Sequence, residues 1–260
     1  SGLAENTVVL LTADHGEELL EHGFVGHAST SEGATVFDEV VRIPLLIKIP
    51  GNPVSVPVEQ LVQQIDIMPT LFDLIDLKPQ YPRQGQSLLP LIFSRESATG
   101  SLAFIETSYC GWQCPKDRMK ERIHAVRSET WKFVEERKSE GTAYAFYDLA
   151  QDKGETTNLY GKINTAEPMK ILSAQQAENL RLAQSLALTS ANKRLASARV
   201  YWDEKQYRNG QSEIEQVLHL DEIYRIENPS FTEDPVLGAS WKIVLQQARE
   251  LLDLFKSQDG

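Results

Sequence analysis

Residues Thr7 to His27, TVVLLTADHGEELLEHGFVGH, constrain this chain more than any other stretch. Val8 to Leu11 is a short apolar run rich in β-branched residues, the composition of a buried strand. It passes directly into Thr12-Ala13-Asp14-His15-Gly16. An acid and an imidazole then stand at the carboxyl end of a core strand, where open α/β sheets place their sites. Gly16 admits a tight turn there. Glu17, Glu18 and Glu21 open a short polar turn or helix that closes at His22-Gly23, and His27 comes next on a glycine-bearing loop. Asp14 and His15 can hold one divalent ion if the turn swings both inward. A hard ion such as Ca²⁺ prefers oxygen ligands, and an imidazole is also compatible with Mn²⁺ or Zn²⁺. A solvated Asp cap beside a surface His fits the same spacing, so the pair alone leaves both readings open.

Downstream, Glu39 to Pro50 reads as a second buried strand, with Pro44 marking a strand start or bulge. Asp66 is a good N-cap for a helix IMPTLFDLIDL, and Pro69 falls in the first turn, where proline is tolerated. Ile67, Leu71, Leu74 and Ile75 share one face of that helix, the pattern of packing on a sheet. Ser87 to Phe93 is a short apolar helix. Leu102–Thr107, Ile123–Arg127, Lys132–Glu136 and Tyr144–Tyr147 are short, turn-separated strands of an antiparallel meander. Asp148 to Asn158 is a polar loop. From Thr165 onward Ala, Leu, Gln and Lys dominate. Pro168 to Arg199 reads as one long helix, and Ile214–Tyr224 and Ile243–Phe255 keep helical spacing. No repeating period emerges.

The formal net charge of −11 argues against nucleic acid and against an anionic membrane surface as partners. An anionic substrate then requires a locally positive site. No apolar run reaches membrane-span length. Cys110 and Cys114 are the only cysteines. They fit a local disulfide or two ordinary thiols; a zinc site needs about four ligands, and nothing nearby supplies two more. Lys116, Arg118, Lys120, Arg122 and Arg127 are a basic cluster that can attract an anion or serve as a solvated face. Trp112 can stack on a sugar or pack at a rim. His124, in an apolar strand, reads as structural.

TADHGEELLEHGFVGH and then FDEVVRIPLLIKIPG resemble the sulfatase family of the alkaline phosphatase superfamily. QIDIMPTLFDLIDL, GQSLLPLI, AVRSETWKFV and FYDLAQDKGETTNL continue the resemblance in the family's order, over residues 7–160. The resemblance implies an α/β fold: part of an alkaline-phosphatase-like sandwich with a small C-terminal antiparallel sheet, then an α-helical extension. The corresponding domains are 1–98 for the α/β core, 99–164 for the small sheet and 165–260 for the helical extension. It also implies that Asp14 and His15 supply two ligands to the catalytic metal, Ca²⁺ first, with Mn²⁺ or Zn²⁺ as alternatives. His27 matches the basic residue that touches the substrate anion, although the segment Ala28–Thr35 is longer than the family's.

By the same resemblance the nucleophile is a formylglycine made from Cys in C-x-P-x-R, and two further acidic ligands lie on a first strand. Neither is in these residues. Cys114-Pro115-Lys116-Asp117-Arg118 has its proline one place early and comes after the Asp-His strand instead of preceding it. The expectation is therefore the C-terminal portion of a metal-dependent sulfatase. Its nucleophile lies upstream, its partners are the missing N-terminal part and a sulfated small molecule or glycan, and this portion alone is inactive. A periplasmic, secreted or lysosomal-like location is implied by the family only. The rivals are a phosphodiester or phosphonate hydrolase or phosphoethanolamine transferase on the same fold, and a non-catalytic binding domain with a degenerate site.

Overall fold

The apolar run before Asp14 forms strand β1, Val9–Thr12. Next come a two-residue hairpin, β2 (Glu18–Leu19) and β3 (Val25–Gly26), a short helix α1, Asp38–Val41, and strand β4, Leu45–Lys48. β4 pairs antiparallel with β1, with Thr12 opposite Leu45. The computed structural model describes residues 2–27, 34–52, 57–78, 84–94, 101–108, 121–227 and 237–257. It divides into two units, Ser1–Gln175 and Gln176–Gly260.

Three local expectations change. The turn-or-helix after Gly16 is a hairpin. Residues 39–41 are helical, so the second strand starts only after Pro44, where the proline's missing N–H ceases to matter. β1 is also not buried: Val9 and Leu11 are 49% and 61% exposed, as is Leu46 at 58%. The β-branched run found a strand, but its only described neighbour is β4.

Helix α2 spans Ile67–Leu74, after a 3-10 turn at Gln64–Asp66. Asp66 does not cap it. Its backbone is already helical, and its carboxylate accepts from the Gln63 and Gln86 backbone N–H groups, each at 2.8 Å. The buried face of α2 is Pro69 and Thr70, whereas Ile75 is 65% exposed. Thr70 Oγ1 accepts from Leu88 N–H and thereby joins α2 to α3, Leu89–Phe93.

The expected meander is present. β5 (Ala103–Ser108), β6 (Arg122–Arg127), β7 (Trp131–Lys138) and β8 (Gly141–Asp148) form one antiparallel sheet in that order. Alternation gives it two faces. On one, Ile123, Ala125 and Val134 pack under Ala34, Val36 and Val41. On the other, Val126, Phe133 and Phe146 pack with Leu172, near the start of the long helix α4, Ala166–Asp203.

The first face also carries charge. The register places Arg127 directly opposite Lys132, and both side chains are buried or nearly so. Like charges opposite one another repel. The segment crossing this face supplies the compensation. Asp38 accepts from Arg127 Nε at 2.9 Å and lies 2.7 Å from Lys132 Nζ. Glu155, from the polar loop after β8, lies 2.7 Å from Lys132 Nζ and accepts the Asp38 backbone N–H at 2.7 Å. Lys132 Nζ also donates to the Val36 carbonyl at 2.9 Å. Residues 34–41 are therefore tied to the sheet by an ionic cluster as well as by apolar contacts.

Burial alone would raise the Asp38 carboxyl, but Arg127 and Lys132 overcome it and hold the group at about 2, against an ordinary 3.8. As pH falls through that window the unfolded chain binds a proton at Asp38 that the folded chain does not, so stability falls. Asp38→Asn is expected to be less stable at neutral pH but to lose less stability on acidification through this window. Denaturant melts at stepped pH measure both.

Within the second unit, α4 continues with α5 (Tyr207–Glu227) and α6 (Leu237–Lys256). Ala191, Leu195, Ala198, Ile214, Val217, Trp241, Leu245, Ala248 and Phe255 form its core. Trp241 Nε1 donates to Asp221 at 2.8 Å, which satisfies the indole in that core. Phe255 lies so close to Gly210 that a Cβ there would sit 2.2 Å from the ring. No helix of the described residues is long and apolar enough to cross a membrane.

Candidate metal and anion site

At the carboxyl end of β1 the chain turns through Ala13 to Gly16. Gly16 is held against α1: its N–H donates to the Val40 carbonyl at 2.7 Å, and a Cβ there would meet the Glu39 carbonyl oxygen at 2.0 Å. Only glycine permits that approach. Asp14 and His15 are thereby presented side by side along a cleft of about 2000 Å³ that His27, Arg42, Gln64 and Lys153 also line.

The protons at this pair are fixed by acceptor-only partners. His15 Nδ1 lies 2.9 Å from the Gly16 carbonyl oxygen, so it donates, and in the neutral ring the lone pair is then at Nε2. Nε2 lies 3.6 Å from Asp14 Oδ2. Donors that bind one ion at about 2.0–2.6 Å stand roughly 3–4 Å apart, so this separation fits bidentate binding of a single cation. A ring N–H committed to a backbone carbonyl is also the support that ligating histidines receive. The His15 backbone N–H donates to Asp14 Oδ1 at 3.0 Å, and that bond, chiefly, holds the Asp14 carboxyl below its ordinary range. Asp14 thus stays charged, as a ligand must be.

His27 is brought to the same place. Its ring stacks on His15 with centroids 3.7 Å apart. Its Nδ1 donates to Glu17 Oε2 at 3.0 Å. One donor atom from each of His15, Glu17 and His27 lies within 4.8 Å of the others. Asp14, His15 and His27, singled out in the sequence, thus line one cleft.

Sequence reasoning missed the supports. Glu18 is fully buried and accepts a hydrogen bond from the Thr35 hydroxyl. His22, expected in the turn, stacks on Phe37 at 3.6 Å, and its Nε2 donates to the Gly154 carbonyl at 2.8 Å. These contacts seat the hairpin on the segment that enters α1 and on the loop after β8. The i, i+4 pair Glu18 and His22 was a signal, but its burial was not readable from a run of charged letters. His124 lies between Glu106 at 3.5 Å and Glu135 at 3.8 Å on the other face of the sheet, away from the Arg127 face and structural as expected. Arg127 is spent on Asp38. Cys110, Trp112, Cys114, Lys116, Arg118 and Lys120 lie outside the described residues.

Comparison with known proteins extends this geometry. Residues 27–182, more than half of the chain, match the family model described as N-sulphoglucosamine sulphohydrolase, C-terminal. The chain belongs to that sulfatase family. A sulfatase of Formosa agariphila is 27% identical over 190 residues, covering 69% of this chain and 33% of the relative. The chain therefore spans about a third of the length of such curated relatives. The structure of a phosphonate monoester hydrolase from Silicibacter pomeroyi superposes with a TM-score of 0.53 at 26% identity, over 68% of this chain and 35% of that one. The structure of BT4656 with its substrate D-glucosamine-2-N,6-O-disulfate superposes with a TM-score of 0.52 at 23% identity, over 70% of this chain and 35% of that one; this likeness concerns the fold. The alkaline-phosphatase-like architecture of the matched residues, with its small antiparallel sheet, is thus the family's; the helices beyond residue 182 lie outside the match.

Proposed function

We propose that this chain is the C-terminal portion of a metal-dependent sulfatase acting on sulfated sugars. Asp14 and His15 are two ligands of its divalent ion, and His27 faces the sulfate. One observation carries the reading: in a sulfatase-family chain, the His15 Nε2 lone pair and the charged Asp14 carboxylate converge at the separation a single cation needs. The family's own name supports a sulfated sugar. Ca²⁺ leads for the oxygen-rich part of the site, and the imidazole keeps Mn²⁺ and Zn²⁺ in contention.

When bound, the ion would offset the charge that develops on the transferring group. The chain's own residues do the rest. Asp14 stays ionised, and the Gly16 carbonyl keeps His15 in the ligating tautomer. His27 reaches the substrate anion or the leaving oxygen through its ring, a role suited to imidazole. The nucleophile and further acidic ligands come from residues outside this chain. The likeness to a phosphonate monoester hydrolase supports the alternative of phosphonate or phosphodiester hydrolysis on the same frame.

The test uses the full-length protein that carries this chain, assayed on a sulfated glucosamine, an aryl sulfate and a phosphonate monoester with each metal. His27→Ala is expected to lower turnover by about 10²–10⁴-fold, the usual contribution of a positioned acid–base group. Metal content and melting temperature should hardly move, because the ring is half exposed. A large fall in melting temperature with unchanged turnover in the folded fraction would make His27 structural. A preference for the phosphonate would select the alternative chemistry.

A further inference from the structure

Across the β2–β3 hairpin the register pairs Glu18 with Gly26 and Leu19 with Val25. One step outward, Glu17 and His27 face each other at the open end of the ladder. Gly26, at φ 113°, holds a backbone conformation that residues with a side chain rarely adopt, so glycine is what lets the ladder end in this geometry beside Glu17. The other end of the hairpin is closed by the Leu20 N–H donating to the Phe24 carbonyl at 2.8 Å. Glu17 is thus delivered to His27 by backbone geometry. It does not line the cleft that His27, Asp14 and His15 line.

We infer that Glu17 is a positioning residue for His27: its carboxylate, held opposite His27 by the hairpin, fixes the ring's tautomer and orientation. This rests on the reading of His27 given above. The argument is one of donors and acceptors. An ionised carboxylate only accepts, so the proton shared across the 3.0 Å contact sits on Nδ1. The neutral ring then has its lone pair at Nε2, at the other end. His15 is held in the same way by the Gly16 carbonyl, so the two stacked rings present the same nitrogen. Without Glu17, Nδ1 would bond to water, the ring would turn about its side-chain torsions, and the Nε2–H tautomer would compete.

The test is made in the full-length protein labelled with ¹⁵N-histidine, using Glu17→Ala, Glu17→Gln and His27→Ala. Glu17→Ala is expected to convert the His27 signal from the Nδ1–H tautomer to a mixture. It should lower kcat by about ten- to a hundredfold, the usual effect of losing a partner of this kind, with KM and metal content little changed. Glu17→Gln retains an accepting oxygen and should restore both the tautomer and most of kcat. A His27 signal unchanged in Glu17→Ala would overturn the inference. So would loss of bound metal in Glu17→Ala and Glu17→Gln alike, which would make Glu17 itself a ligand. If His27→Ala retains full turnover, the role given to His27 fails. The tautomer signal still decides whether Glu17 sets the ring, so the two failures are distinguishable.

Discussion

Asp14→Ala in the full-length protein should abolish metal binding and lower turnover by about 10³-fold or more, with almost no change in melting temperature. The separation of effects comes from where the carboxylate stands. Its side chain is 88% exposed, and its hydrogen bonds are to local backbone N–H groups, that of His15 foremost. Truncating an exposed side chain away from packed features usually changes stability by less than about 0.5 kcal/mol. The same side chain is a charged donor 3.6 Å from the bare nitrogen of His15. A bound cation supplies several kcal/mol of charge stabilisation to the transition state, and each 1.36 kcal/mol is about a factor of ten. Asp14→Asn is the informative control. Its amide oxygen still accepts from the His15 N–H, so turn geometry survives while the charge is lost. Metal content after dialysis and calorimetric titration with Ca²⁺, Mn²⁺ and Zn²⁺ give the readout. Full occupancy and normal turnover in Asp14→Ala would sink the assignment of both ligands.

How far the sequence carries is clearest where local and long-range physics part. Asp14, His15 and His27 are legible because a β-branched run announces the strand and the ordered family segments assign the residues after it. The meander is legible because period-two alternation and turns are local. Residues 39–41 read as strand because Val40 and Val41 carry β propensity, yet Val40 packs as a helical residue under the Gly16 turn, and tertiary contact outweighs a preference worth tenths of a kcal/mol. The burial expected of β1 fails for a different reason. Burial is a property of what lies on either side of a strand, and composition reports only the strand. Glu17, Glu18 and Glu155 escape notice because charged letters read as solvated surface; what makes them functional or structural is a partner ten, seventeen or more than a hundred residues away.

Lys132→Met is the substitution expected to cost most stability, about 3–5 kcal/mol. Lys132 has no exposed surface and meets Asp38, Glu155 and the Val36 carbonyl. Methionine fills much the same volume, so the loss is electrostatic and not a cavity. Asp38 would keep Arg127 at 2.6 Å. Glu155 would not be so served. Burial already pushes its carboxyl up, against the pull of Lys132. With that cation gone, a buried charge stands uncompensated, the condition under which breaking one partner of a buried pair costs this much. Glu155 should then take up a proton on folding, so the defect should shrink as pH is lowered toward the ordinary carboxylate range. The double variant Lys132→Met, Glu155→Gln removes the stranded charge and should recover a substantial part of the loss. Denaturant melts of the wild type, both single variants and the double variant form the cycle. A single-variant loss below about 1 kcal/mol, the worth of a surface pair, would mean that the cluster does not bind residues 34–41 to the sheet. The consequence for the site is direct. That segment carries Phe37, on which His22 stacks, and the Glu39–Val40 carbonyls that receive the Gly16 turn. Lys132→Met should therefore also loosen Asp14 and His15, weakening metal affinity in the fraction that remains folded.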